Sequence, residues 1–191
     1  LLKSTEGMKR LLVTTHRRES FGTVMTANLK VMREFVEKHQ DVCMIFPVHP
    51  NPNVKETAKE ILGHSDRIYL LEPMDYSDFL GLMRSAWLIV SDSGGVQEEA
   101  PSLGKPLLVL RENTERPEAI RSGVSKLIGN NPNALKRLLE ENYSVETWIK
   151  GVKEVANPFG DGKSAARIVK IIEEKLATKQ IQARSQQASL F

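Results

Sequence analysis

The sequence predicts an α/β fold with a doubly wound parallel sheet, and two observations support this fold class. Short apolar runs alternate with segments of helical pattern through most of the 191 residues, and turn-forming residues separate them. The chain is also long enough to bury a core, and 40% of its residues are hydrophobic and can form one. Strands of about five residues that alternate with helices are typical of a parallel sheet with helices on both faces.

Strands are expected where apolar residues run together without helical spacing. The first, at residues 10–15, contains the run Leu11, Leu12 and Val13. A short continuous run of this kind is typical of a strand that is buried on both faces. The other strands are expected at residues 42–48, 67–71, 87–91, 107–110 and 124–128.

The segments between these strands carry apolar residues every three or four positions, which indicates helices with one buried face. The helix at residues 24–39 is an example, because Met25, Leu29 and Met32 fall on one side of it. Asp75 is the predicted N-cap of the helix at residues 75–85. The other helices are expected at residues 54–62, after the Ser-Gly-Gly turn at 93–95, and at 133–142, 145–155 and 164–177.

We expect one domain over residues 1–177 and a helical or disordered tail over residues 178–191, which is rich in Gln, Ala and Ser. The last predicted helix carries a stripe of apolar residues, which normally packs against another apolar surface. An exposed stripe favours self-association, so we expect a homo-oligomer. The stripe consists of Ala165, Ile168, Val169, Ile172 and Leu176. The chain begins with Leu1 instead of Met, so we expect a fragment or a processed product.

Composition and charge exclude several function classes. The net charge is only +3 and the basic residues are dispersed, so no nucleic-acid partner is expected. The single cysteine, Cys43, lies in an apolar run and is expected to be a buried small hydrophobe, which fits a reducing cytoplasm. No apolar run approaches membrane-spanning length and no signal peptide is visible, so no membrane partner is expected.

Polar and charged side chains follow five of the predicted strands at their carboxyl ends. In a parallel sheet these ends meet at one edge, which is where ligands bind in such folds. We therefore predict a ligand site that is built from five successive loops. The loops are residues 16–18, 49–51, 72–75, 92–95 and 111–117.

The turn that opens the helix after the fourth strand is the strongest candidate for binding an anion. Its helix amides have no internal partner and carry the positive end of the helix dipole. Gly94 and Gly95 leave these amides open to a phosphate, and Ser93 adds a hydroxyl donor. Glu98 and Glu99 lie one turn later, within reach of groups attached to the phosphate, such as ribose hydroxyls. The alternative is a capped turn that is followed by two solvated glutamates, Glu98 and Glu99.

Five further residues are candidates, and each has a structural alternative. Arg116 is held in an extended conformation by Pro117 and could point into the crevice or merely pair with Glu118 or Glu115. His16 and Arg17 are suited to a diphosphate, and His16 to moving protons, but this loop could also pair with acidic neighbours on the surface. His49 could instead cap the next helix, and Phe79 could simply pack in the core. The sequence contains no Gly-x-Gly-x-x-Gly, no Walker-type loop and no metal-ligand cluster, so no metal site is predicted.

These loops resemble those of the non-hydrolysing UDP-N-acetylglucosamine 2-epimerases. The order and spacing of the matching motifs hold from about Arg10 to Leu176, and the long serine-glycine motif is highly specific. The matching motifs are Val13-Thr-Thr-His-Arg-Arg-Glu-Ser-Phe-Gly22, Pro47-Val-His-Pro-Asn51, Leu71-Glu-Pro-Met-Asp-Tyr76, Ser91-Asp-Ser-Gly-Gly-Val-Gln-Glu-Glu-Ala-Pro-Ser-Leu-Gly-Lys-Pro106, Thr114-Glu-Arg-Pro-Glu118 and Asn157-Pro-Phe-Gly-Asp-Gly162.

The resemblance implies the C-terminal, nucleotide-binding half of a GT-B enzyme, which consists of two Rossmann-like halves with the active site between them. It implies interconversion of UDP-N-acetylglucosamine (UDP-GlcNAc) and UDP-N-acetylmannosamine (UDP-ManNAc) without a redox cofactor. UDP is eliminated to leave 2-acetamidoglucal and is then added back with C2 inverted. The family's N-terminal half, which carries the acid/base carboxylates, is a further implied partner and is not among these residues.

The resemblance also implies a role for each matching residue. His16 would contact the diphosphate near the breaking bond, and Glu99 would accept hydrogen bonds from the ribose. Arg116 would lie near the sugar or the phosphates. The remaining implied contacts are Ser93, Gly94 and Gly95 to phosphate, Phe79 and the backbone around Met74 to uracil, and Arg17 and His49 to a second, activating UDP-GlcNAc.

The sequence departs from the family pattern at two positions and leaves other functions open. Some members carry glutamine where this chain has Met74, and others carry asparagine where it has Ser20. The alternatives are the nucleotide half of a hydrolysing epimerase or of a GT-B glycosyltransferase, and a non-catalytic module that binds nucleotide sugars. The run Thr114-Glu-Arg-Pro-Glu118 argues against the glycosyltransferase.

Overall fold

The computed structural model describes residues 1–17 and 21–188, with side chains as far as residue 178. Part of the motif after the first strand (Arg18, Glu19 and Ser20) and the chain end at residues 189–191 lie outside the described residues. The chain divides into two compact units, residues 1–158 and 159–191, which are described separately below. The predicted boundary at residue 177 stays a prediction.

The first unit is built on a six-stranded parallel sheet with the strand order β3-β2-β1-β4-β5-β6. β1 lies at the centre, where Leu11 pairs with Met44 on one side and Leu88 on the other. The predicted doubly wound α/β fold is therefore confirmed. The strands are β1 (Lys9–Thr14), β2 (Val42–Pro47), β3 (Ile68–Leu71), β4 (Leu88–Ser91), β5 (Leu107–Val109) and β6 (Ser125–Leu127).

Helices connect these strands and cover both faces of the sheet. The helices of the first unit are α1 (Thr23–Lys38), α2 (Pro52–Leu62), α3 (Tyr76–Ser85), α4 (Gly94–Ser102), α5 (Pro117–Arg121), α6 (Pro132–Ser144) and α7 (Thr147–Gly151). The α-helix predicted at residues 145–155 is shorter in the structure, because α7 ends at Gly151 and a 3₁₀ turn follows at Val152–Glu154. Helix α5 was not predicted. Asp75 occupies the N-cap position of α3, as predicted, and its side chain makes no capping hydrogen bond.

The alternation of side chains along the strands divides the core into two layers. Leu11 and Val13 face a layer that also contains buried residues of α1, α2 and α6. Leu12 faces the opposite layer, with buried residues of α3 and α4. Cys43 is fully buried, as the sequence predicts. Burial on both faces explains why the strands are apolar without alternation.

The strand order creates a crevice between β1 and β4. The chain leaves β1 toward β2 on one side and leaves β4 toward β5 on the other, so the connections diverge at this point. Folds of this kind bind ligands at the carboxyl ends of the two strands where the order reverses. The turns that follow β1 and β4 therefore lie at the centre of the candidate site.

The second unit contains helix α8 (Ser164–Ala188), which extends beyond the predicted end at residue 177. Asp161 precedes it and forms a two-pronged ion pair with Arg167. The predicted apolar stripe is exposed, because Ile168, Val169, Ile172 and Leu176 are each 51–56% accessible. Within the part of the chain that the structure describes, no helix is both long and apolar enough to cross a membrane.

Candidate functional site

A buried carboxylate connects the turns that follow β1 and β4. Asp92, the first residue after β4, is fully buried. It accepts hydrogen bonds from the Thr15 hydroxyl at 2.7 Å and from the backbone amides of His16 and Arg17 at 3.0 Å each. The His16 Nδ1 atom lies 3.2 Å from Asp92 Oδ1. Asp92 therefore holds three successive residues at the crevice.

The contact between Asp92 and His16 changes the protonation of both groups. The hydrogen bond to the Asp92 carboxylate raises the pKa of His16 above its ordinary value, although partial burial and the Arg17 charge oppose this. Burial opposes ionisation of Asp92, but hydrogen bonds from His16, the Arg17 amide and Thr15 hold its pKa below its ordinary value. The contact therefore stabilises the charged form of each partner, the imidazolium of His16 and the carboxylate of Asp92.

An open cavity of about 190 Å³ lies between the turns that follow β1, β2 and β3. Its apolar wall comes from Met74 and Phe79, which are half-buried against the layer of α3 and α4. The His16 and His49 rings face each other with centroids 5.7 Å apart. The lining residues are Thr14, Thr15, His16, Pro47, Val48, His49, Pro50, Pro73, Met74 and Phe79.

The Ser-Gly-Gly turn has the geometry that its sequence predicts. Helix α4 begins at Gly94, directly after the N-cap Ser93, whose side chain makes no capping bond. A methyl group on Gly94 would meet no protein atom within 4 Å, and one on Gly95 would approach only Ser93 Oγ, at 3.9 Å. The space at Gly94 and Gly95 is thus open, with the Ser93 hydroxyl nearby, as an anion site at the start of a helix requires.

The two glutamates on α4 have different partners, which the sequence alone did not reveal. Glu98 is exposed and pairs with the Nε of Arg116, the residue that precedes α5. Glu99 is half-buried and accepts a hydrogen bond from the Tyr76 hydroxyl, and its negative charge raises the pKa of Tyr76. Glu98 is thus solvent-exposed, as the alternative of two solvated glutamates predicts, whereas Glu99 is only partly exposed.

A buried glutamine joins α4 to the loop that follows β5. Gln97 is fully buried, donates from Nε2 to the Ser93 carbonyl and accepts from the Thr114 hydroxyl at 2.5 Å. Thr114 in turn accepts the backbone N–H of Arg116 at 3.0 Å. This chain of hydrogen bonds fixes the backbone of Arg116 relative to the Ser-Gly-Gly turn. In the same loop Arg111 binds the carboxylate of Glu115 through two nitrogens.

The structure brings most of the predicted site residues to one edge of the sheet. His16, His49, Met74 and Phe79 line the cavity, and the amide of Arg17 is held beside them. His49 does not cap α2, because Asn51 caps it and His49 Nδ1 accepts the Asn51 amide. The predicted residues on the α4 side are Ser93, Gly94, Gly95, Glu99 and Arg116.

Sequence reasoning missed three residues of this edge. Asp92, Gln97 and Tyr76 all stand inside the quoted motifs but were given no individual role. A polar residue within an otherwise buried strand-to-helix junction was the available signal for Asp92. Among the described residues, no group of three or more His, Cys, Asp and Glu is placed to hold a metal ion.

The sheet order and the crevice define a Rossmann-like α/β domain with a candidate ligand site at its switch point. A sequence model of the family described as UDP-N-acetylglucosamine 2-epimerase matches residues 1–173. The chain belongs to this family.

Named relatives support the assignment over most of the chain. The UDP-N-acetylglucosamine 2-epimerase of Salmonella typhimurium is 47% identical over 169 residues, which are 86% of this chain and 44% of that protein. The Bacillus subtilis enzyme of the same name is 44% identical over 161 residues, again with 84% of this chain and 42% of that protein covered. The chain thus spans less than half the length of the curated relatives it matches.

Solved structures agree with the fold. S. aureus MnaA in a co-structure with UDP superposes with a TM-score of 0.87 at 40% identity, covering 92% of this chain and 48% of that one. The UDP-GlcNAc 2-epimerase of Neisseria meningitidis, bound to UDP-GlcNAc, superposes with a TM-score of 0.82 at 36% identity over 87% of this chain and 45% of that one. This chain therefore corresponds to slightly less than half of each of these epimerase structures.

Proposed function

We propose that this chain is the UDP-sugar-binding half of a UDP-N-acetylglucosamine 2-epimerase that interconverts UDP-GlcNAc and UDP-ManNAc. The observation that carries the proposal is the combination of family membership with an open Ser-Gly-Gly turn beside the His16–Asp92 pair. Relatives with 36–40% identity have been solved with UDP or UDP-GlcNAc bound. The same ligands are the proposed ligands here.

The proposed ligand spans the crevice from an apolar end to a polar end. Uracil packs against Phe79, and the backbone around Met74 reads its edge. Glu99 accepts from the ribose hydroxyls, while the open amides of Gly94 and Gly95 hold phosphate. The contact of Glu99 with Tyr76, the first residue of α3, supports this assignment because it puts the carboxylate near the turn that follows β3.

The proposed reaction eliminates UDP from the sugar to leave 2-acetamidoglucal and adds it back with C2 inverted. Negative charge grows on the diphosphate as the bond to the sugar breaks, and His16 and Arg116 stabilise it. The reaction is redox-neutral overall, so it needs no redox cofactor. The acid/base groups for C2 belong to the other half of the enzyme, and the site works between the two halves. We further propose that the enzyme works in the cytoplasm as a homo-oligomer. Arg17 and His49 contact a second molecule of UDP-GlcNAc, which activates the enzyme.

Binding of UDP by this chain tests the ligand assignment. Glu99→Ala should weaken UDP by about tenfold or more but leave pyrophosphate nearly unchanged, because a hydrogen bond to a carboxylate is worth about 1.5–3 kcal/mol. Calorimetry with both ligands measures the difference. Tyr76→Phe is the matched control, since it removes the partner of Glu99 and keeps the carboxylate. Equal losses for UDP and pyrophosphate would contradict the ribose assignment.

The products made by the longer protein test the activity. UDP-GlcNAc should give UDP-ManNAc, with exchange of the C2 hydrogen for solvent hydrogen. Free N-acetylmannosamine together with UDP would identify the hydrolysing alternative instead. Tight UDP binding without any product would identify a non-catalytic binding module.

A further inference from the structure

Asp92 occupies an unusual place in the crevice, because it is a carboxylate with no exposed surface. A buried charge is costly unless hydrogen bonds or an opposite charge compensate it. Asp92 receives both kinds of compensation, from the Thr15 hydroxyl, two backbone amides and the His16 imidazole. All of these groups approach it as donors, and only an ionised carboxylate accepts from so many donors at once.

The geometry of this contact selects one form of the His16 ring. Nδ1 lies 3.2 Å from the carboxylate and so carries a proton, which leaves Nε2 for a ligand. His16 lines the cavity and its side chain is 40% exposed. In the neutral ring Nε2 would then have no proton to donate. A hydrogen bond from Nε2 to a phosphate oxygen therefore requires the imidazolium.

We propose that Asp92 is the positioning residue of this site, which orients the His16 imidazole so that Nε2–H donates to the diphosphate of a bound UDP group. This inference rests on the proposed function for the identity of the ligand. Asp92 does not touch the ligand itself, and it acts through His16. It follows that binding of UDP is coupled to a proton on His16.

Among the residues that the structure describes, the other groups that face His16 do not replace Asp92 in this role. The Arg17 charge disfavours protonation of the ring, and His49 stacks on it with an interplanar angle of 21°. Asp92 is therefore the acidic group whose contact holds the pKa of His16 above its ordinary value. Its removal should lower the pKa and also release the ring to the tautomer with a proton on Nε2.

Nuclear magnetic resonance of the unliganded chain tests the positioning role directly. The side-chain nitrogen shifts of His16 should show the Nδ1–H tautomer above its pKa in the unaltered protein. In Asp92→Asn the pKa of His16 should fall, because the hydrogen bond and the charge that raise it are lost. Thr15→Val removes one donor to Asp92 and keeps the charge, so it should leave the pKa of His16 raised. An Nε2–H tautomer in the unaltered protein, or an unchanged pKa in Asp92→Asn, would overturn the proposal. The tautomer measurement needs no variant and so stands even if Asp92→Asn does not fold.

Titration of UDP as a function of pH tests the coupling. The unaltered chain should lose about tenfold in affinity as the pH rises through the pKa of His16. Asp92→Asn should bind with little pH dependence, because its neutral ring can donate from Nε2. The same pH profile in both proteins would refute the coupling. If the unaltered chain binds no UDP at any pH, the proposed function fails, while the nitrogen shifts still decide the role of Asp92.

Discussion

Alanine at the two glycines that open α4 should make the chain more stable and at the same time a poorer UDP binder. The structure leaves room for a methyl group at both positions, since the nearest protein atom is Ser93 Oγ, 3.9 Å from the added carbon at Gly95. Glycine loses more backbone freedom than alanine on folding, so each change should stabilise the chain by about 0.5–1 kcal/mol. For a chain of this size that corresponds to a rise in Tm of roughly 1–4 °C.

The same methyl group should obstruct the ligand. In a helix the Cα–Cβ bonds tilt toward the N-terminus, so the methyl group of Gly94→Ala or Gly95→Ala projects into the space in front of the amides. A phosphate that loses one charge-assisted hydrogen bond loses about 1.5–3 kcal/mol, or about tenfold or more in affinity. The two effects have opposite signs, so a general loss of structure cannot imitate them.

Thermal unfolding and UDP calorimetry on the same samples measure both effects. Gly151→Ala is the matched control, because Gly151 has helical angles (φ −68°, ψ −28°), open space for a methyl group and a position at the end of α7. It should show stabilisation without loss of affinity. Unchanged UDP binding by both Gly94→Ala and Gly95→Ala would refute the claim that phosphate lies on these amides.

Two further predictions concern the acid response and self-association. The Arg111 guanidinium and the backbone hold the pKa of Glu115 at about 2. A depressed carboxyl pKa contributes stability that is present above pH 4.5 and is lost as the pH falls toward about 2. Glu115→Gln should therefore lose less unfolding free energy than the unaltered chain over that pH range. Urea unfolding at a series of pH values measures this, and the same dependence on pH in both proteins would contradict it. Ile172→Glu should dissociate the oligomer that we expect from the exposed stripe on α8, as measured by light scattering across concentrations, whereas Lys175→Glu should not. A strictly monomeric unaltered chain would remove the basis for that expectation.

The sheet and most of its helices could be predicted because their signals are local. A run such as Leu11, Leu12 and Val13 needs no partner to be recognised as a buried strand, and the helical period of α1 is complete within its own segment. Helix α5 was missed because its five residues are too few to display a period. The strand order could not be derived from local pattern, because pairing of β1 with β4 depends on contacts between distant segments.

The site residues can likewise be separated into those with a local sequence signal and those that depend on contacts between distant segments. Gly94 and Gly95 could be recognised from the sequence, because adjacent glycines at the start of a helix are typical of a phosphate-binding turn. The partners of Glu98 and Glu99 could not be assigned, since Arg116 and Tyr76 approach from different elements. Asp92 is separated from His16 by more than seventy residues and meets it only because β1 and β4 are neighbours in the sheet.

The strand order also explains how the crevice is divided between two kinds of ligand group. On the side of β2 and β3, the turns contribute apolar surface through Met74 and Phe79. On the side of β4 and β5, they contribute donors, from the amides at the start of α4 to Arg116. His16 follows β1, at the junction of the two sides, and Asp92 holds it there. A ligand with an aromatic base at one end and a diphosphate at the other matches this division, and in the proposed complex the His16 imidazole lies beside the diphosphate.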